Sequence, residues 1–240
     1  MIQQDLTSIW VYLSASPLAG LTLTLIAYGA AFRLYQLCHH HPLLHPVVIA
    51  VSMIIGFLLL TDTQYDAYFE GGQFVHFLLG PATVALAIPL YQQWSKIKKL
   101  WLPLLICVVG GVLIAGSSAI ILAKLLGASL ETQLSLAPKS VTAPVAMAIS
   151  EQLNGLPSLT AVLVVATGIL GAIFGTRILT LIGIKDHATK GMAMGITAHG
   201  IGTARAFQVS TEMGAFSGLA MASSTFVTAL ILPWLVNCLV

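Results

Sequence analysis

Five residues with chemical potential fall within one ten-residue stretch, TAHGIGTARA at 197–206: His199, Gly200, Gly202, Thr203 and Arg205. The surrounding residues are apolar. A planar guanidinium grips a carboxylate with two parallel hydrogen bonds. Glycines are weak helix formers and let a ligand approach the backbone. A helix that breaks there restarts near Gly202-Thr203, and its free N–H groups attract anions. Thr203 adds a hydroxyl. Arg205 therefore reads as an anchor for a small carboxylate, or as a residue that snorkels from a helix end or pairs with Glu212. His199 reads as a proton-coupling group or as a hydrogen-bonding helix histidine. Six residues separate it from Arg205, about 600° of an unbroken helix, so the two face one site only across a break. The Gly-x-Gly lacks a preceding strand, a third glycine and a downstream acid, which excludes a dinucleotide loop.

A second constellation opens at Pro138. Lys139, Ser140 and Thr142 put a cation and two hydroxyls at the start of a short segment that Glu151 closes. It reads as a half-helix tip lining a pathway, with Glu151 a further proton-coupling candidate, or as an ordinary helix with polar ends. Thr83, after Gly80-Pro81, is the uncharged counterpart, and His76 before it reads as structural. Cys38-His39-His40-His41 with His45 has metal-ligand types but no nearby carboxylate, so it reads as an interfacial loop and no metal or other cofactor is expected. No nucleophile–histidine–acid set or carboxylate pair shares a depth, so no enzyme activity is expected. Arg177 reads as a snorkelling side chain.

The elements that must hold these residues follow from composition. The 240 residues are 58% hydrophobic and 8% charged, against about 25% charged in soluble domains. Such a chain cannot cover a water-exposed body, and its partner is the lipid bilayer. A net charge of +2 gives no reason to expect nucleic acid. Three scattered cysteines indicate no disulfide framework, and no cleavable signal is evident. The expected fold is an all-α integral membrane protein, one transmembrane domain over 1–240 with seven to eight membrane elements. An interfacial helix occupies 1–16. Spans follow at 17–36, 43–61, 72–94 and 101–126, then a shorter segment at 138–153, and helices at 157–183, 187–208 and 213–238. An acidic loop holds Asp62, Asp66 and Glu70.

Lys96, Lys98 and Lys99 place 94–100 in the cytoplasm. Lys185 and Lys190 join them only if 138–153 dips into the membrane and returns, so the basic residues favour a re-entrant segment. A shift of 57 residues lays Pro81 on Pro138 and Gly111 on Gly168. This suggests an inverted repeat, with 72–126 and 138–183 as its units and 187–238 carrying the C-terminal helices. Broken helices in inverted repeats are a transporter architecture.

Three long motifs carry a family resemblance: GPATVALAIPLYQQW at 80–94, PKSVTAPVAMAISEQLNGLPSLTAV at 138–162, and AHGIGTARA at 198–206 followed by GAFSGLAM at 214–221. With them the chain resembles the LrgB/CidB family from about Pro17 onward, and it looks like a bacterial member of the inner membrane. The resemblance implies two functions. One is secondary transport of small monocarboxylates of the glycolate, glycerate or pyruvate class, with proton coupling as an option, which the arginine beside a broken backbone favours. The other is holin-like or antiholin-like regulation of murein hydrolase activity and lysis with a small LrgA/CidA-type partner. The family motifs fall on Lys139, Ser140, His199, Gly200, Gly202, Thr203 and Arg205. The sequence leaves a homo-oligomer open.

Overall fold

The computed structural model describes residues 17–38 and 44–239, without the side chains of Pro17, His76, Leu79 and Thr83. The interfacial helix expected over 1–16 and the histidines His39, His40 and His41 lie outside the described residues, as does the Thr83 side chain. Every regular element among the described residues is a helix. The chain divides into two units, residues 1–85 and 86–240.

The first unit holds α1 (Pro17–Leu37), α2 (Pro46–Leu60), α3 (Tyr65–Phe77) and α4 (Leu79–Ala85). Small residues let α1 and α2 close on each other: Ala27, Ala31 and Ala50 form their common core. Thr24 on α1 meets the Tyr68 hydroxyl on α3 at 2.7 Å. The acidic stretch expected as a loop is helical from Tyr65, with Asp66 in the first turn, where a carboxylate complements the free N–H groups.

The second unit starts with the short helices α5 (Ala87–Gln92) and α6 (Trp94–Lys99), then α7 (Trp101–Leu125). Next come α8 (Leu130–Leu136), α9 (Ala143–Gln152), α10 (Pro157–Leu181), α11 (His187–Val209) and α12 (Thr211–Leu239). α7 and α10 have 25 residues each, about 37 Å of helix, and cross a hydrocarbon core of about 30 Å. α9 has 10 residues, about 15 Å, and cannot cross.

α8 and α9 instead form a re-entrant hairpin. Leu130, Glu131 and Leu134 at its entry share a cavity with Gln152, Leu153 and Asn154 at its exit. Its tip, residues 137–142, sits beside Val112 and Gly116 of α7 and Thr228 and Leu232 of α12, the middle of both crossing helices. Buried hydroxyls clamp the hairpin to α10: Thr160 Oγ1 lies 2.7 Å from Ser150 Oγ and 3.0 Å from the Ser135 carbonyl. The exit turn uses Asn154 at φ 62°, the left-handed region asparagine tolerates.

α11 is a second hairpin. Its backbone breaks at His199, φ 39° and ψ −131°, and residues 200–209 run back along 187–198. Ser210 Oγ accordingly lies 2.8 Å from His187 Nδ1, closing the end of the element on its own start. Met194 and Ala206 share a buried cluster. Gly202 makes the close approach possible, since a Cβ there would stand 2.9 Å from the Met194 carbonyl oxygen.

The two hairpins enter from opposite ends. Lys96, just before α7, pairs with Asp186 before α11 and with Glu212 at the start of α12. At the other end Lys124 Nζ donates to the Leu239 carbonyl at 3.1 Å, beside the mouth of the first hairpin. The re-entrant alternative for 138–153 thus holds, and the Lys96 and Lys185 connections share one end. Within the second unit a long helix precedes each hairpin, α7 before 130–152 and α10 before 187–209.

Five helical runs among the described residues are long and apolar enough to cross: Leu18–Leu37, Tyr65–Gln92, Trp101–Leu125, Pro157–Leu181 and Thr211–Leu239. The expected seven to eight elements exceed that number for three physical reasons. The 138–153 segment carries only the 10-residue α9. α2 has only 15 residues, and 187–208, expected as a helix in its own right, folds back on itself.

Candidate functional site

The hairpin tips meet. Ile196, just before the second tip, lines one small cavity with Pro138, Ser140 and Val141 of the first. Val141 and Val164 of α10 belong to one buried cluster, and Lys139 is within electrostatic reach of His199. The N-terminus of α9 and the restart of the helix at Gly200 therefore point toward the same region from opposite sides, each with unsatisfied N–H groups.

A hydrogen-bond chain fixes the second tip. His199 Nε2 lies 2.9 Å from the Val164 carbonyl oxygen. A carbonyl only accepts, so Nε2 carries the proton. Thr203 Oγ1 donates to the His199 carbonyl at 2.8 Å and lies 2.9 Å from Ser217 Oγ. With its one proton so used, Thr203 accepts from Ser217. The chain runs from α12 through α11 to α10 and satisfies each buried polar group in it. It holds in place a non-glycine residue at φ 39°, a conformation that costs about 1–3 kcal/mol and survives only where the surroundings enforce it.

The first tip is different in kind. Ser140 and Thr228 are 8% and 6% exposed, and neither side chain makes a hydrogen bond among the described residues. Both line the cavity between the tip, α7 and α12, a space of about 10 Å³. Lys139 beside them is partly buried, with no ion pair or side-chain hydrogen bond among the described residues. Thr142 occupies the N-cap of α9 without its side chain capping it.

The remaining candidates are scattered. Arg205 follows Thr203 by two residues, about 200° around the helix, so it faces away from the buried chain. It is partly exposed and donates to Gln208 Oε1 at 2.9 Å, one turn along. Glu212, considered as its partner, binds Lys96. The proposed break lies at His199, earlier than Gly202-Thr203. Gly202 faces its own hairpin's first arm, while Gly200 has only the Met221 sulfur near it at 3.9 Å. Glu151 is exposed at the hairpin exit, and Arg177 is exposed on α10. Among the described residues no three His, Cys, Asp or Glu side chains come together to hold a metal ion.

Sequence reasoning missed Ser217, Thr228, Val164 and Gly168. Ser217 stood inside the quoted GAFSGLAM stretch, but a hydroxyl in an apolar helix carries no pattern that distinguishes it. Gly168 was visible only as the match to Gly111 in the 57-residue shift. Its role is steric: a Cβ there would stand 2.7 Å from His199 Cε1.

Comparison with known proteins places the arrangement. Residues 24–238 match the LrgB-like family. The chain is 34% identical over 222 residues to the uncharacterized protein YwbG of Bacillus subtilis, covering 92% of this chain and 97% of that one. It is 33% identical over 214 residues to the holin-like protein CidB of Staphylococcus epidermidis, covering 89% and 93%. The holin-like protein CidB of Staphylococcus aureus is 32% identical over the same length and shares. No solved structure matches the chain. With a match over most of its length and several long apolar helices, this chain is a multi-pass bacterial membrane protein that belongs to the LrgB-like family.

Proposed function

We propose that the protein is the multi-pass component of a holin-like membrane system, acting with a small LrgA/CidA-type membrane protein to control murein hydrolase activity and lysis. The observation that carries this reading is the similarity over 89% of the chain to relatives named holin-like. That naming favours regulation over the transport reading that the motif residues alone suggested. Co-expression of the two tagged proteins and capture in detergent tests it. A stable complex is expected, together with a change in autolysis rate when this chain is deleted. Absence of both rejects the reading.

A second reading has an observation of its own, the two hairpin tips that meet beside partly buried Lys139. Re-entrant segments with helix ends near mid-membrane suit the passage of a small anion. On this reading the protein carries small monocarboxylates of the glycolate, glycerate or pyruvate class, with His199 or Glu151 coupling protons. Arg205 keeps its place as a candidate anchor at the mouth of the second hairpin. Uptake of labelled glycolate or pyruvate by proteoliposomes is expected to saturate. If Arg205→Lys leaves saturation unchanged, Arg205 is not the anchor, because lysine lacks the planar fork. A two-component carrier would satisfy both readings.

A further inference from the structure

We infer that the tip of the first hairpin is a binding site for a single anionic centre, formed by the Ser140 and Thr228 hydroxyls and the first N–H groups of α9, with Lys139 beside it. This deepens the permeation reading and takes its ligand class from there.

Three independent features converge on the same space. Ser140 and Thr228 are more than nine-tenths buried, line one cavity from different elements, and have no hydrogen-bond partner among the described residues. Both hydroxyls therefore keep hydrogen-bonding capacity open to that space. α9 begins there, and Thr142 leaves the N–H groups of Ala143 and Val145 uncapped, Pro144 between them having none. A helix start carries about half a positive charge. Lys139 adds a full one, partly shielded from water and without an ion pair among the described residues. Donors and positive potential together select an anion over a cation.

Size narrows the ligand. A space of about 10 Å³ is at the lower limit for one water molecule. It suits one oxygen of a carboxylate, is tight for a chloride ion without some widening, and excludes a whole organic acid. The satisfied Thr203–Ser217 pair leaves little capacity for a ligand at the second tip, so the open donors lie at the first.

The test measures thermal unfolding of the purified full chain in detergent against sodium glycolate or sodium chloride, at constant ionic strength. The wild type is compared with Ser140→Ala/Thr228→Val and with Thr228→Ser. A rise in Tm that follows the logarithm of 1 + [L]/Kd is expected, about 3–6 °C at tenfold excess over Kd. Thr228→Ser keeps it, and the double variant loses it while retaining a cooperative transition. If the double variant does not fold, Lys139→Gln provides the readout, with the fitted Kd raised at least about tenfold.

A response to glycolate alone identifies a carboxylate site, and a response to both identifies a general anion site; either supports the inference. No concentration-dependent shift in the wild type overturns it, as does the same shift in wild type and variants. Flux into proteoliposomes separates the two claims. Binding without flux keeps the site and rejects permeation. Flux indifferent to Ser140, Thr228 and Lys139 keeps permeation and rejects the site.

Discussion

The imidazole of His199 lies against the bare Cα of Gly168, where an added methyl carbon would stand 2.7 Å from Cε1 and 3.0 Å from Nε2. The ring reaches the Val164 carbonyl only because α10 has no side chain at that turn. The added carbon would meet the His199 ring, held by its bond to the Val164 carbonyl, and the tip of the Ile201 side chain, so the ring must give up that bond to make room. Gly168→Ala is therefore expected to destabilise by about 1–3 kcal/mol and to displace His199. Gly110→Ala is the contrast, because nothing lies within 4 Å of a Cβ there. It should stabilise by up to about 1 kcal/mol through helix propensity. Thermal unfolding of both variants in one detergent checks the pair.

Thr203 and Ser217 are coupled through one hydrogen bond, with the His199 carbonyl as the terminal acceptor. Thr203→Val keeps the shape and strands a buried hydroxyl and a carbonyl, at about 1–3 kcal/mol. Thr203→Ser should recover most of that. The double variant Thr203→Val/Ser217→Ala should cost less than the sum of the single changes, because contacting residues are not additive. Additivity would mean that the two hydroxyls do not interact.

Lys96 joins three connections at one end of the second unit, bonding Glu212 and lying 3.6 Å from Asp186. The Glu212 hydrogen bond raises the Lys96 ammonium above its ordinary value. The backbone N–H of Thr189, then its hydroxyl, holds the Asp186 carboxyl below its own. The Asp186 contribution is complete above about pH 4, the unfolded value, and is lost as pH falls through the lower folded value. The Lys96 contribution is complete below about pH 10, the unfolded value, and is lost as pH rises through the higher folded one. With Lys96 37% and Asp186 54% exposed, each pair is worth no more than about 1 kcal/mol and is weakened by salt. Lys96→Met should flatten the alkaline limb and leave most of the acid limb, which the Thr189 bonds to Asp186 hold; an unchanged alkaline limb would remove Lys96 from it.

The membrane class, the long spans and the family motifs were legible because they rest on composition and on contiguous residues. The dip of 138–153 was legible too, through the side on which Lys185 and Lys190 had to lie. The fold-back of 187–209 was not. Its 23 residues have the length of a spanning helix, and the turn falls on a histidine, which favours no turn by itself. Arg205 drew attention as a charge in an apolar stretch, yet helix phase turns it away from Thr203. Ser140 and Lys139 were seen as a polar helix start. That Ser140 would share a closed space with Thr228, 88 residues away in the chain, depends on tertiary packing alone.

Two hairpins entering from opposite faces underlie the site and every inference drawn from it, and single-cysteine labelling tests them most directly. In a background with Cys38, Cys107 and Cys238 replaced by serine, Glu131→Cys, Gln152→Cys, Lys185→Cys and Thr211→Cys are placed at exposed positions. An impermeant maleimide is then applied to right-side-out and inverted vesicles. Positions 131 and 152 should react together from one face, and 185 and 211 together from the other. If either pair splits across the two faces, that segment crosses the membrane, the tips do not meet, and the account is contradicted.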